Sequence, residues 1–416
     1  MDKSKIFWYT YIGVILLAIV CMFLIYQKDW VSDEGIHWEQ IQMFQQGDYT
    51  VHYKLTTIPG YHAIVFSLMT IFGYVSFDSA RIFTTIFLTL ALIPAFFALT
   101  GSWRRVLQIY FFPLMFVFYF MLYTDLTSVV FISVAFLFLF NKKYNLAALF
   151  FIFSILVRQN NFMWLGFGLL YVLVDHYHEW FGSLKSIDIY KITGKSWLRA
   201  LFSKIWLYIV GIILFGVFVI INQGIVIGDR GSHMEGFYST NIYYILFISF
   251  FMFLPSILLR LKDIWAWMKE HKVLTVLLII LPIIFCLVNF HNTHWYNNLK
   301  EDGGLAGNGI MRNIILHWAD IAVLNKILFM IPIIVTIFYL IVTRLRRPFY
   351  YWLYPFTVLY LGASELVDTR YYFIPLFLFM LFREEGSDRE EYYLLGYFIL
   401  LSIVMFIGIL RHSMVW

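Results

Sequence analysis

Of the chain's 416 residues, 62% are hydrophobic and only 13% charged, and the mean hydropathy is +0.78. Soluble domains run to roughly 45–50% apolar and about 25% charged residues, so this composition excludes a string of water-soluble domains and indicates a polytopic membrane protein. Two cysteines, both inside apolar runs, exclude a disulfide framework and a cysteine zinc site, and the net charge of +5 gains meaning only once the sides of the membrane are assigned.

A membrane-crossing helix needs about 20 mostly apolar residues. In chain order, the segments that meet or approach this are 7–26, 82–99, 106–123, 126–140, 144–157, 161–175, 205–222, 242–259, 273–290, 327–343, 349–365, 371–383 and 392–410. They predict an all-α, polytopic transmembrane helix bundle of about thirteen spans, in a range of roughly 11 to 14, forming one integral membrane domain over 1–416. No small-residue cleavage motif follows the first segment, which is read as a retained helix. Segments 144–157 and 371–383 are short for full spans and call for tilt, breaks or polar extensions. The apolar stretch 61–77 is read as an interfacial helix within a first outer loop, 27–81. The other long polar stretches are 176–204 and 291–325.

Lysine and arginine collect on the cytoplasmic side, and short loops report this best. With a cytoplasmic N-terminus and 61–77 kept out of the span count, most of the 30 basic residues fall inside, including Arg104, Arg105, Lys142, Lys143, Arg344, Arg346 and Arg347. Loop 176–204 is then cytoplasmic, and loops 27–81 and 291–325 are extracytoplasmic. Counting 61–77 as a span would send Arg104, Arg105, Lys142 and Lys143 outside, and is set aside. Polar clusters thus gather at the outer ends of spans, where a site in an apolar bundle is expected.

The first outer loop carries Asp33 and Glu34, followed by His37 and Gln40. A carboxylate pair at the bilayer surface suits a general base tuned by partial desolvation; equally, acids simply mark an outer loop. Asp125, in a short turn between spans, reads first as a helix cap. Arg158, Gln159, Asn160 and Asn161 form RQNN; an arginine pressed between apolar segments calls for an anion, which is either a ligand phosphate or a structural partner such as Asp125 or Asp229. The string NQGIVIGDRGSH, from Asn222 to His233, combines three glycines with Asp229 and Arg230, which suits backbone packed near an anionic ligand. Asp368 and Arg370 repeat the pairing of acid and arginine. His291, His294 and His317 match no zinc spacing, and no Walker A, dinucleotide fingerprint or HExxH motif is present, so nucleotide and nucleic-acid chemistry is unsupported.

These strings, with TTIPG at 56–60, YTD at 123–125 and the RYYFIP run from Arg370, resemble the endoplasmic-reticulum alpha-1,2-glucosyltransferases. That family uses dolichyl-phosphate-glucose to add the terminal glucose to the lipid-linked oligosaccharide precursor of N-glycans. The strings occur in the family's order, and GIVIGDR is the distinctive one. The chain departs from the pattern at 291–313 and in the extra apolar segment 392–410.

The resemblance implies a GT-C type bundle with an extracytoplasmic active site, in the endoplasmic reticulum membrane of a eukaryote or the inner membrane of a prokaryote. It implies inverting transfer of a hexose, glucose first, from a polyprenyl- or dolichyl-phosphate donor to a lipid-linked glycan acceptor. Asp33 would be the general base with Glu34 in support; Arg230 and Arg370, with Arg158 as a third, would hold the carrier phosphate. His37, Gln40, Asp125, Gln159, Asn160, Asp229 and His233 would contact substrate. No cofactor and no divalent metal are expected, since fixed arginines can offset the charge of a single leaving phosphate, although Asp33, Glu34, Asp125 and Asp229 are hard-cation ligand types. The protein is read as a monomer among membrane lipids. The alternatives are a GT-C transferase for another sugar or acceptor, such as mannose or aminoarabinose to protein or lipid, and a transporter or flippase of a lipid-linked anion. The absence of a visible repeat speaks against transport.

Overall fold

A computed structural model describes residues 3–26, 28–181, 195–230, 236–294 and 313–411. Among them helices carry the fold, and an isolated antiparallel bridge between Leu345 and Arg383 replaces any strand. The chain divides into two compact units, one of residues 1–103 with 118–230 and one of 104–117 with 231–416.

Six helices among the described residues are long and apolar enough to cross a bilayer. Lys5–Ile25, Phe77–Thr100 and Ser196–Asn222 belong to the first unit, and Lys272–Asn289, Val323–Val342 and Asp388–Leu410 to the second. They meet six of the predicted segments, and they make this an integral membrane protein.

The other predicted spans take different forms. Segment 106–123 is broken where Pro113 opens a four-residue helix that runs into the 3-10 turn Val117–Phe120. Segment 242–259 splits at Phe253 into Thr240–Met252 and Leu254–Leu259, with Pro255 in the first turn of the second. Segments 349–365 and 371–383 form the α-helices Leu353–Gly362 and Phe373–Phe382, each entered through a 3-10 turn, Pro348–Trp352 and Thr369–Tyr372. Neither reaches the roughly 20 residues of a full α-helical span. Hydropathy averages across such breaks because it does not register a missing N–H or a turn. Segments 126–140, 144–157 and 161–175 lie in the helices Thr124–Phe140, Tyr144–Val157 and Phe162–Phe181.

The stretch 61–77 forms the helix Gly60–Phe72, whose 13 residues are too few for a span. It and the helix Glu34–Gln45 share a buried cluster of Trp38, Ile41, Tyr61, Val65, Met69, Ala80, Leu122 and Val157. Gly60 permits the packing: a Cβ there would sit 2.4 Å from the Leu156 carbonyl oxygen. Segment 27–81 is therefore a folded layer on the first unit.

In the second unit, Phe253 packs against Phe112, Tyr339, Phe379 and Phe398. Buried Arg383 pairs with Glu391 at 2.7 Å, and Arg105 donates to the carbonyls of Met380, Leu381 and Arg383.

Candidate functional site

Glu34 opens its helix and is fully buried, as is Arg81 near the start of Phe77–Thr100. Arg81 donates Nε to Glu34 Oε1 at 2.9 Å and Nη2 to Oε2 at 2.5 Å. The backbone amides of Val31 and Leu122 donate to the same carboxylate at 2.9 and 2.7 Å. Arg81 also reaches the carbonyls of Lys28 and Asp29 and lies over the Phe77 ring. The four donors satisfy both carboxylate oxygens, as burial of an acidic group requires. The knot ties the end of the first long helix, the helix Glu34–Gln45 and the chain before Thr124–Phe140 to one point.

Asp33, beside it, is only half-buried. It occupies the N-cap position of Glu34–Gln45 without using its side chain as a cap, and its backbone N–H donates to Tyr123 Oη at 3.1 Å. One turn on, His37 Nδ1 meets His62 Nε2 at 2.9 Å, both rings buried. Burial, and then the neighbouring His37, hold the His62 imidazole well below its usual pKa of 6.5, so it is neutral. Gln40 is wholly buried and acts as a clamp: its Nε2 donates to the Thr50 carbonyl at 3.0 Å and its Oε1 accepts from His52 N–H at 2.7 Å.

The distinctive glycine string closes on the same loop. Gly228 has φ +65°, and a Cβ there would lie 2.2 Å from the Leu55 carbonyl oxygen. Only glycine takes that conformation at that distance. Asn222 donates to the carbonyls of Gly224 and Val226, and Arg230, which is exposed, bonds Asn222 through its carbonyl and, at 2.7 Å, its Oδ1. Arg230 is thus held by Asn222. His233 lies outside the described residues, as does 295–312 of the polar stretch 291–325.

Arg158 forms an ion pair with Asp125, of which 3% is exposed. The cap expected of Asp125 gives way to this pair, since no side-chain cap is made and Tyr123 holds the N-cap position. Gln159 clamps TTIPG, donating to the Thr56 carbonyl at 2.7 Å and accepting from Ile58 N–H at 3.3 Å. Asn160 is half-buried.

In the second unit, Asp368 Oδ2 accepts from Arg370 Nε at 2.9 Å, and Oδ1 accepts the Arg370 backbone N–H at 3.0 Å. Nearby, buried Asn241 donates to the carbonyls of Ser364 and Leu366 and accepts from Tyr372 Oη. Among the described residues, no group of three or more His, Cys, Asp and Glu is placed to hold a metal.

The first unit therefore gathers Asp33, Glu34, His37 and Gln40 on one folded layer with the clamps from Gln159 and Gly228. Arg81 was not singled out from sequence, and Tyr123 entered only within the YTD string. Arg81 had a signal: a cation at the head of an apolar helix needs a partner.

Fold and site define an integral membrane protein with a buried ion pair supporting a half-exposed acid. The chain belongs to the DIE2/ALG10 family, whose model matches residues 27–381. It is 27% identical over 328 residues to the Candida albicans Dol-P-Glc:Glc(2)Man(9)GlcNAc(2)-PP-Dol alpha-1,2-glucosyltransferase, covering 73% of this chain and 66% of that one. The mouse protein of the same name is 27% identical over 43% of this chain and 44% of its own, and the Arabidopsis thaliana one 24% identical over 71% and 69%. The chain thus spans about two thirds of the fungal and plant relatives and under half of the mouse one. No solved structure matches it.

Proposed function

We propose that the chain is a membrane glycosyltransferase of GT-C type that moves a hexose, glucose before others, from a polyprenyl- or dolichyl-phosphate carrier to a lipid-linked glycan, with inversion, on the extracytoplasmic face. Family membership and the relatives' names support the substrates. The observation that carries the chemistry is the unequal setting of two adjacent acids. Glu34 is buried under four donors, whereas Asp33 is half-buried at a helix start. Glu34, held by four donors, fixes the turn, and its more accessible neighbour Asp33 is the acid proposed to take a proton from substrate.

In this reading the acceptor hydroxyl gives its proton to Asp33 as its oxygen bonds to the sugar C1. The bond from C1 to the phosphate oxygen breaks on the opposite face, and the carrier phosphate leaves with the electron pair. Arginine offsets that charge. Exposed Arg230 is the proposed ligand in the first unit. Arg370, in the second, is proposed for the same class of anion. Arg158 and Arg370 are each paired with an acid, Asp125 and Asp368, which leaves Arg230 as the strongest of the three for this role.

The test incubates the purified full chain with dolichyl-phosphate-[14C]glucose or -[14C]mannose and a lipid-linked glycan acceptor ending in two glucoses. Glucose transfer to the acceptor is expected. Transfer of mannose alone, or movement of lipid across vesicles without transfer, contradicts the proposal.

A further inference from the structure

We propose that Tyr123 is the positioning residue for Asp33, acting through the turn that precedes it; this rests on Asp33 being the base. Ser32 has φ +53°, a left-handed conformation that a serine adopts only under constraint. The Tyr123 hydroxyl spans this residue. It accepts the Asp33 N–H at 3.1 Å and donates to the Val31 carbonyl at 3.0 Å. Its ring is 3% exposed and stands edge-on to His37, with centroids 5.4 Å apart, and to Phe118 at 5.0 Å. On the far side of the turn, Glu34 holds the Val31 N–H and the amide of Leu122, the residue before Tyr123.

A strained residue persists where its surroundings over-determine it, and such residues cluster where position matters to function. Here two side chains of unlike chemistry grip both flanks of Ser32. The result is a fixed origin for the Asp33 side chain. A base works only within about 2.6–3.2 Å of the proton it takes, and a displacement of about 1 Å costs on the order of 100-fold.

The test measures kcat and donor KM for the full chain in detergent, with dolichyl-phosphate-[14C]glucose and the lipid-linked acceptor. Tyr123→Phe keeps the ring and removes both hydrogen bonds; kcat should fall about tenfold with donor KM within about twofold. Ser32→Val attacks the same turn from an exposed position, because a β-branched residue does not take a left-handed conformation, and it should reproduce the loss. It also serves if Tyr123→Phe fails to fold. In an Asp33→Asn background neither change should lower the residual rate further, since both act through Asp33. Wild-type kcat in a folded Tyr123→Phe or in Ser32→Val, or losses that multiply with that of Asp33→Asn, overturns the inference. If Asp33→Asn itself turns over normally, the base assignment falls and this inference with it. If Asp33→Asn is impaired and the other two are not, this inference alone falls.

Discussion

Replacing Arg81 by methionine isolates the Glu34 carboxylate in the interior. Both partners are fully buried, and the change deletes the only cation hydrogen-bonded to Glu34 in the described structure, along with two of its four donors. The Lys28 and Asp29 carbonyls lose their donor as well. Removing one member of a buried pair costs about 3–5 kcal/mol, because the remaining charge has neither water nor a counter-ion. In a protein of this size that corresponds to a fall of about 5 °C or more in melting midpoint at a fixed heating rate. The reporter is built in: Cys21 and Cys286 are free and buried, so a maleimide that fluoresces on reaction with thiols reads their exposure on heating. Cys286→Ser leaves Cys21 as the probe of the unit that contains Arg81. Adding Glu34→Gln to Arg81→Met removes the stranded charge, so the double variant should melt above Arg81→Met alone. An unchanged midpoint in Arg81→Met, or a double variant that melts lower still, would show that Glu34 does not depend on Arg81 for its charge compensation.

Gly228→Ala should destabilise the loop by about 1–3 kcal/mol or more, since its Cβ meets the Leu55 carbonyl at a positive φ; protease cleavage within 222–230 should accelerate. Arg158→Gln should lower the melting midpoint by leaving Asp125 nearly buried without its cation, and donor KM should change less than for Arg230→Lys. His62 is held neutral in the folded state while the unfolded chain protonates near 6.5. The unfolded state therefore binds more protons as pH falls below that value, and the midpoint should drop from pH 7.5 to 5.5, with a shallower slope in His62→Gln. Glucose transfer should survive an EDTA wash; activity lost to chelator and restored by manganese would contradict an arginine-centred mechanism.

Composition alone sufficed for the membrane class, and the order of short polar strings for the family. What sequence did not supply was partners. Glu34 and Arg81 are 47 positions apart, and no local pattern joins them. Asp125 was one of two anions open to Arg158, and the choice needed the fold. Gln40 and Gln159 were legible as polar residues in a loop, but their work as backbone clamps depends on where Thr50 and Thr56 come to lie. Six of the expected segments are unbroken helices long enough to cross a bilayer; the breaks at Pro113 and Phe253 were not legible, because hydropathy carries no backbone information.

The central claim is the division of labour between the two acids, and one paired measurement tests it: turnover and melting midpoint of Asp33→Asn and Glu34→Gln side by side. Asp33→Asn should lose about 100-fold or more in turnover, with donor affinity and midpoint kept. Glu34→Gln should lower the midpoint by stranding Arg81. Near-normal turnover in a folded Asp33→Asn, or a midpoint unmoved by Glu34→Gln, would contradict the account.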